Sequence, residues 1–214
     1  MKPAARLSAV PLRLHRAWAE RGVLFLPLVL LLAPVRNGVE STMALQMLVE
    51  FPLVMASGWV ASRIVARRLG DGRVVEAVMR MGLAPLVGAT LCLMFWMVPL
   101  ALDLARLDAG INAAKLGSLF VAGGALEHGL RRAPGGGLVF FAGNMVWMLA
   151  TVGLLFHDTP SRLCANYLLD DQRLTGVGLL GYAVAVAAGL VLHLRRLPGF
   201  GFTFLAQERD RDGQ

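Results

Sequence analysis

The sequence predicts an all-α fold, a polytopic transmembrane helix bundle of about six spans with the N and C termini cytoplasmic. Three observations predict it. Of 214 residues, 57% are hydrophobic and 16% charged, with a mean hydropathy of +0.62, a balance too apolar for a soluble domain of this length. The apolar residues fall in runs of about 20, the length that crosses roughly 30 Å of hydrocarbon. The 21 basic residues cluster between those runs and do not line one face, so the formal charge of +7 is a topology signal and not a nucleic-acid footprint.

Residues 1–17 form a cytoplasmic segment in which basic and apolar residues alternate from Arg6 to Trp18. It is expected to lie on the inner leaflet as an amphipathic helix or to stay a solvated tail. The transmembrane domain covers 18–196, with spans expected at roughly 18–35, 41–62, 82–102, 112–130, 136–156 and 174–194. The first span carries Pro27 and Pro34 and is expected to be tilted or kinked; with no small-x-small cleavage pattern after it, it is expected to remain as an anchor. Residues 197–214 are charged at their end and are expected to be a disordered cytoplasmic tail. With the N-terminus inside, 16 of the 21 basic residues fall on inner segments, and an odd number of spans would separate the two basic ends. Cys92 and Cys164 can form at most one bridge, so no disulfide framework is expected.

This topology sorts the polar and sulfur-bearing residues by depth. Met43, Met47 and Glu50 follow one helical stripe of span two; Met94 and Met97 close span three; Met145 and Met148 lie in span five, which ends at His157 and Asp158. Thioether is a soft ligand that suits Cu(I), and imidazole also accepts copper, so Met43, Met47, Met94, Met97, Met145, Met148 and His157 are candidate copper ligands; methionine is equally a common filler of apolar cores. Glu50 is a carboxyl within a span, where insertion of a charge costs at least about 2.5–3.5 kcal/mol. It is expected to be a charge partner or proton acceptor, or a structural lock protonated or paired with a neighbouring span. Pro52 just after it is expected to kink the helix and free a carbonyl. Glu127 and His128 are expected at the inner end of span four, solvated or paired with Arg131 and Arg132. Gly117, Gly123, Gly124, Gly176, Gly178 and Gly181 read as packing faces. No phosphate loop, GxSxG elbow, HExxH or dinucleotide fingerprint occurs, and no enzymatic activity is expected.

The segment Ser41-Thr-Met-Ala-Leu-Gln-Met-Leu-Val-Glu-Phe-Pro-Leu, the stretch from Leu102-Asp103 to Lys115-Leu116, and the run from Gly143-Asn-Met-Val-Trp-Met through Asp158-Thr-Pro to Asp170-Asp-Gln-Arg-Leu-Thr-Gly resemble the CtaG-type cytochrome c oxidase assembly proteins. The resemblance covers about Arg36 to His193, and Asp171, Gln172 and Gly176 carry its most specific element. It implies a multi-pass protein of the bacterial inner membrane that assists assembly of a haem-copper oxidase, with copper as cofactor and an oxidase subunit or a periplasmic copper chaperone as partner. The family usually has more spans, and a histidine where this chain has Gln46. The alternative is a non-catalytic accessory subunit of a respiratory complex, binding lipid or quinone between its spans. The two separate on whether the methionines of spans two, three and five converge on one pocket or face lipid.

Overall fold

The computed structural model describes Gly22, Phe25 and residues 27–30, 32–69, 82–164 and 166–196. The expected N-terminal segment, much of the expected first span and the expected C-terminal tail lie outside the described residues. Seven helices follow one another among the described residues: α1 Ala33–Val39, α2 from a π-helical start Leu45–Glu50 into Phe51–Leu69, α3 Leu83–Trp96, α4 Pro99–Leu107, α5 Ala109–Arg132, α6 Gly135–Asp158 and α7 Leu169–Arg195. Four of these, α2, α5, α6 and α7, are long and apolar enough to cross a membrane, and α3 with α4 makes a fifth if the bent pair is one span. They correspond to the expected spans two, four, five, six and three. Large apolar side chains such as Phe140, Trp147 and Val184 stand exposed on the outside of the bundle. Such an exterior is consistent with a membrane-spanning bundle, whose outer face meets lipid.

The third span differs from expectation. The sequence predicts a span running to 102, but the chain bends by 74° between α3 and α4. Pro99 opens α4, and Val98 before it is extended at φ −72°, ψ 124°. Proline disfavours the helical region for the residue that precedes it, so the helix stops and restarts. The turn lets α4 cross the end of the bundle and bury Ala101, Leu102 and Ala105.

Helices α2, α5 and α7 run one way, and α3 and α6 run back between them. Small residues set the closest approaches. A Cβ added at Gly123 would overlap the Met55 carbonyl, and one at Gly58 would overlap that of Phe120, so α2 and α5 meet backbone to backbone. Gly153 and Gly176 bring α6 and α7 together in the same way, whereas Gly117 and Gly181 face open space. The core between the helices is formed by residues such as Met43, Met47, Val54, Leu93, Leu119 and Leu179.

Candidate functional site

The end of the bundle where α2 and α5 begin holds a buried polar chain. Asp108 caps α5 by accepting from the Gly110 and Ile111 amides at 2.7 and 2.9 Å. One turn further, Asn112 and Lys115 sit three residues apart on the face turned toward α2. Lys115 is wholly buried, and its Nζ lies 2.7 Å from Glu40 Oε1 and 3.0 Å from Glu50 Oε1. Asn112 Nδ2 also donates to Glu40 Oε1, and Arg106 of α4 donates to the Glu40 carbonyl. Tyr167 donates to Gln46 Oε1 and lies under the Arg106 guanidinium, 5.0 Å from the ring centroid. Lysine thus ties α5 to the corner between α1 and α2. Gln46 Nε2, Glu50 Oε2 and Asn112 Oδ1 are buried with no hydrogen-bond partner among the described residues.

Beside this chain, burial pushes the Cys164 thiol up to about 12, with the Asp103 carboxylate adding to it. Burial also raises the Tyr167 hydroxyl to about 12, against the opposing pull of Arg106. Both stay protonated at neutral pH, so Tyr167 remains a donor to Gln46 and Cys164 is an unreactive thiol.

Asp171 and Gln172 hold this end together. The Asp171 carboxylate accepts from the Met43 and Ala44 amides and so caps α2 from α7. Gln172 accepts from the Leu163 amide at 2.9 Å and donates to the Phe156 carbonyl at 3.3 Å, fixing the loop between α6 and α7. Both are clasps.

An apolar cleft of about 630 Å³ runs along α2 toward the other end. Met47, Phe51, Met55 and Trp59, spaced four apart, form its floor, and Leu93, Met97, Met145, Leu149, Leu179 and Tyr182 are among its walls. The π-helical start of α2 belongs to this geometry. Pro52 has no N–H to give to the Leu48 carbonyl, as an α-helix requires, and the Tyr182 hydroxyl donates to that oxygen at 2.6 Å. The freed carbonyl expected from Pro52 is therefore present, and α7 satisfies it.

Three of the candidate copper ligands, Met47, Met97 and Met145, come from three helices to this one cleft. The others are elsewhere: Met43 and Met148 are packed in the core, Met94 is half exposed, and His157 pairs with Asp158 at 2.8 Å on the surface. Among the described residues no group of three or more His, Cys, Asp and Glu is placed to hold a metal ion.

At the far end of the cleft, Glu127 is buried and bound by three groups. Arg63 Nε and Arg131 Nε lie 3.2 and 3.0 Å from its Oε1, and Ser62 donates to Oε2 at 3.0 Å. The expected pairing with Arg131 is there; solvation is not, because Ser62 and Arg63 of α2 close over the carboxylate.

Glu40, Asn112, Lys115 and Tyr167 were not singled out by sequence reasoning. By sequence Lys115 falls among the five basic residues outside the inner segments, near the end of an apolar run where a charge is ordinary. The signal that could have found it is the pair Asn112 and Lys115 on one face, matched by Gln46 and Glu50 on another.

No protein-family model, curated protein or solved structure matches this chain.

Proposed function

We propose that the protein is a multi-pass inner-membrane protein of six spans, termini inside, that acts as a non-catalytic accessory subunit of a larger respiratory complex and holds an apolar chain, a lipid acyl or quinone tail, in its cleft. The observation that carries this reading is the cleft itself: about 630 Å³ with walls of methionine, leucine, aromatic and valine side chains, the size and lining of a site for an apolar ligand. A groove of that kind on a lipid-facing bundle offers water almost no hydrogen-bond partners and suits hydrocarbon. The buried Glu40–Lys115–Glu50 chain serves it as a lock that keeps α2 and α5 in register at one end. The inward placement of both termini is supported by the distribution of basic residues, and the sixth span is the one expected at 18–35.

The test is mass spectrometry of the full chain released intact from detergent. About one lipid or quinone per protein is expected on the wild type, and an Ala56→Phe variant, which puts a ring into the cleft wall, should release it. A protein that carries nothing in either form would sink the reading.

A second reading is favoured by a specific observation, the meeting of Met47, Met97 and Met145 in one cleft. Three thioethers suit Cu(I), so the protein would hand copper to a haem-copper oxidase during assembly, as the CtaG resemblance implies. Under reducing conditions, stoichiometric Cu(I) binding that is lost when all three become leucine, which keeps the volume and removes the sulfur, would favour it. Equal binding by the variant, or none by the wild type, counts against it.

A further inference from the structure

We propose that the cleft takes an anionic phospholipid, its acyl chain along α2 and its phosphate on Arg63 at the end marked by Glu127. The inference rests on the apolar-chain reading and names the ligand class.

The cleft and the basic cluster are continuous. Trp59 lines the cleft and its ring also carries the Arg63 guanidinium, 5.5 Å from the centroid. On α5, Leu126 lines the cleft and the next residue is Glu127. A ligand that fills the groove from Met47 to Val60 covers about 20 Å at 1.5 Å per residue, about the length of an extended fatty acyl chain. Its polar end then arrives at Arg63.

Charge favours an anion there. Among the described residues, Arg63 and Arg131 share one buried carboxylate, so two cations face one anion there. Each arginine meets Glu127 through its Nε, and the two side chains are 49% and 43% exposed. Glu127 therefore orients both guanidinium planes, and their forked N–H edges match phosphate oxygens. The indole of Trp59 sets Arg63 at the boundary between chain and headgroup, the depth that such rings occupy in a bilayer. A basic pocket between spans at one end of a bundle is a setting for acidic lipid headgroups. A quinone would use the groove and leave the arginines idle.

The test offers the purified full chain an equimolar mixture of phosphatidylglycerol and phosphatidylcholine, and reads the retained lipid by intact-complex mass spectrometry. Phosphatidylglycerol should be preferred by roughly fivefold, the weight of one basic side chain beside an acidic lipid. An Arg63→Gln/Arg131→Gln/Glu127→Gln variant removes both cations together with the buried counter-charge they share, which protects the fold. It should keep one lipid and lose the preference, while an Arg195→Gln/Arg196→Gln variant keeps both. Retention of lipid with no preference in the wild type, or a preference that follows Arg195 and Arg196, overturns the headgroup assignment and leaves the apolar-chain reading standing. Retention of a quinone to the exclusion of phospholipid does the same. Retention of nothing overturns both.

Discussion

Lys115 has no exposed surface and is held between two carboxyl groups, so its value to the fold depends on both partners. Taking an ion pair out of water costs several kcal/mol per ion, and the return comes only when the geometry is complete. A Lys115→Met variant leaves Glu40 and Glu50 facing each other without their cation. It is expected to lose about 3–5 kcal/mol, read from denaturant unfolding in detergent. The triple change Glu40→Gln, Lys115→Met and Glu50→Gln, which removes all three charges together, should recover most of the loss. An undiminished Lys115→Met variant would show that the chain does not hold the bundle.

The pH response of the same end follows from Cys164 and Tyr167. Their folded values of about 12 lie above the ordinary 9.0 and 10.0. The folded protein thus keeps these two protons at a pH where the unfolded chain has begun to release them. Their contribution is fully present below pH 9 and is lost as pH rises from there toward 12. Thermal unfolding followed from pH 8 to 11 should fall in midpoint, and a Cys164→Ala/Tyr167→Phe variant should fall less steeply. A midpoint that climbs over this window contradicts the assignment.

Among the elements, α2 and α5 are matched most closely, and small side chains decide the match. Gly123→Ala places a methyl group against the Met55 backbone, which cannot yield as a flexible side chain does. The expected cost is about 1–3 kcal/mol. Gly117→Ala on the same helix meets nothing within 4 Å and should be neutral or stabilise by up to about 1 kcal/mol through helix propensity. Equal effects at the two positions, read by unfolding in detergent, would contradict the packing described.

The elements also divide what could be read from the sequence. Spans two, four, five and six are continuous apolar runs, and their period and length place α2, α5, α6 and α7 within several residues. The break after Trp96 is not visible in hydropathy, because Val98, Pro99, Leu100 and Ala101 are as apolar as the span before them; only the backbone restriction imposed by Pro99 marks it. The role of Pro52 was legible, since the missing N–H names its own orphaned carbonyl, but nothing local identifies Tyr182, 134 residues away, as the donor. Glu50 stood out because it is a carboxyl inside an apolar run. Glu40 and Lys115 did not, because each lies at the margin of such a run, where a charge is ordinary. Their pairing is a property of the tertiary arrangement. Likewise the methionine stripes gave seven candidate ligand positions with His157, and only helix packing separates Met47, Met97 and Met145 from the rest.

For the whole molecule, the parallel course of α2, α5 and α7 fixes which loops share a side. The loop after α6 lies at the end holding Glu40, Lys115 and Glu50, and the end of α7 lies at the other. In a background with Cys92 and Cys164 changed to alanine, a cysteine at Ser161 should react with an impermeant maleimide in intact cells, and one at Arg196 only after lysis. The reverse pattern would invert the proposed orientation.

The central proposal is that the cleft lined by α2, α3, α5, α6 and α7 holds one apolar chain. A crystal structure grown from a lipidic mesophase tests this directly. Continuous tubular density along Met47, Phe51, Met55 and Trp59, ending beside Arg63, is the expected result. A cleft closed by α7 collapsing onto α2, or filled by ordered water, would contradict it.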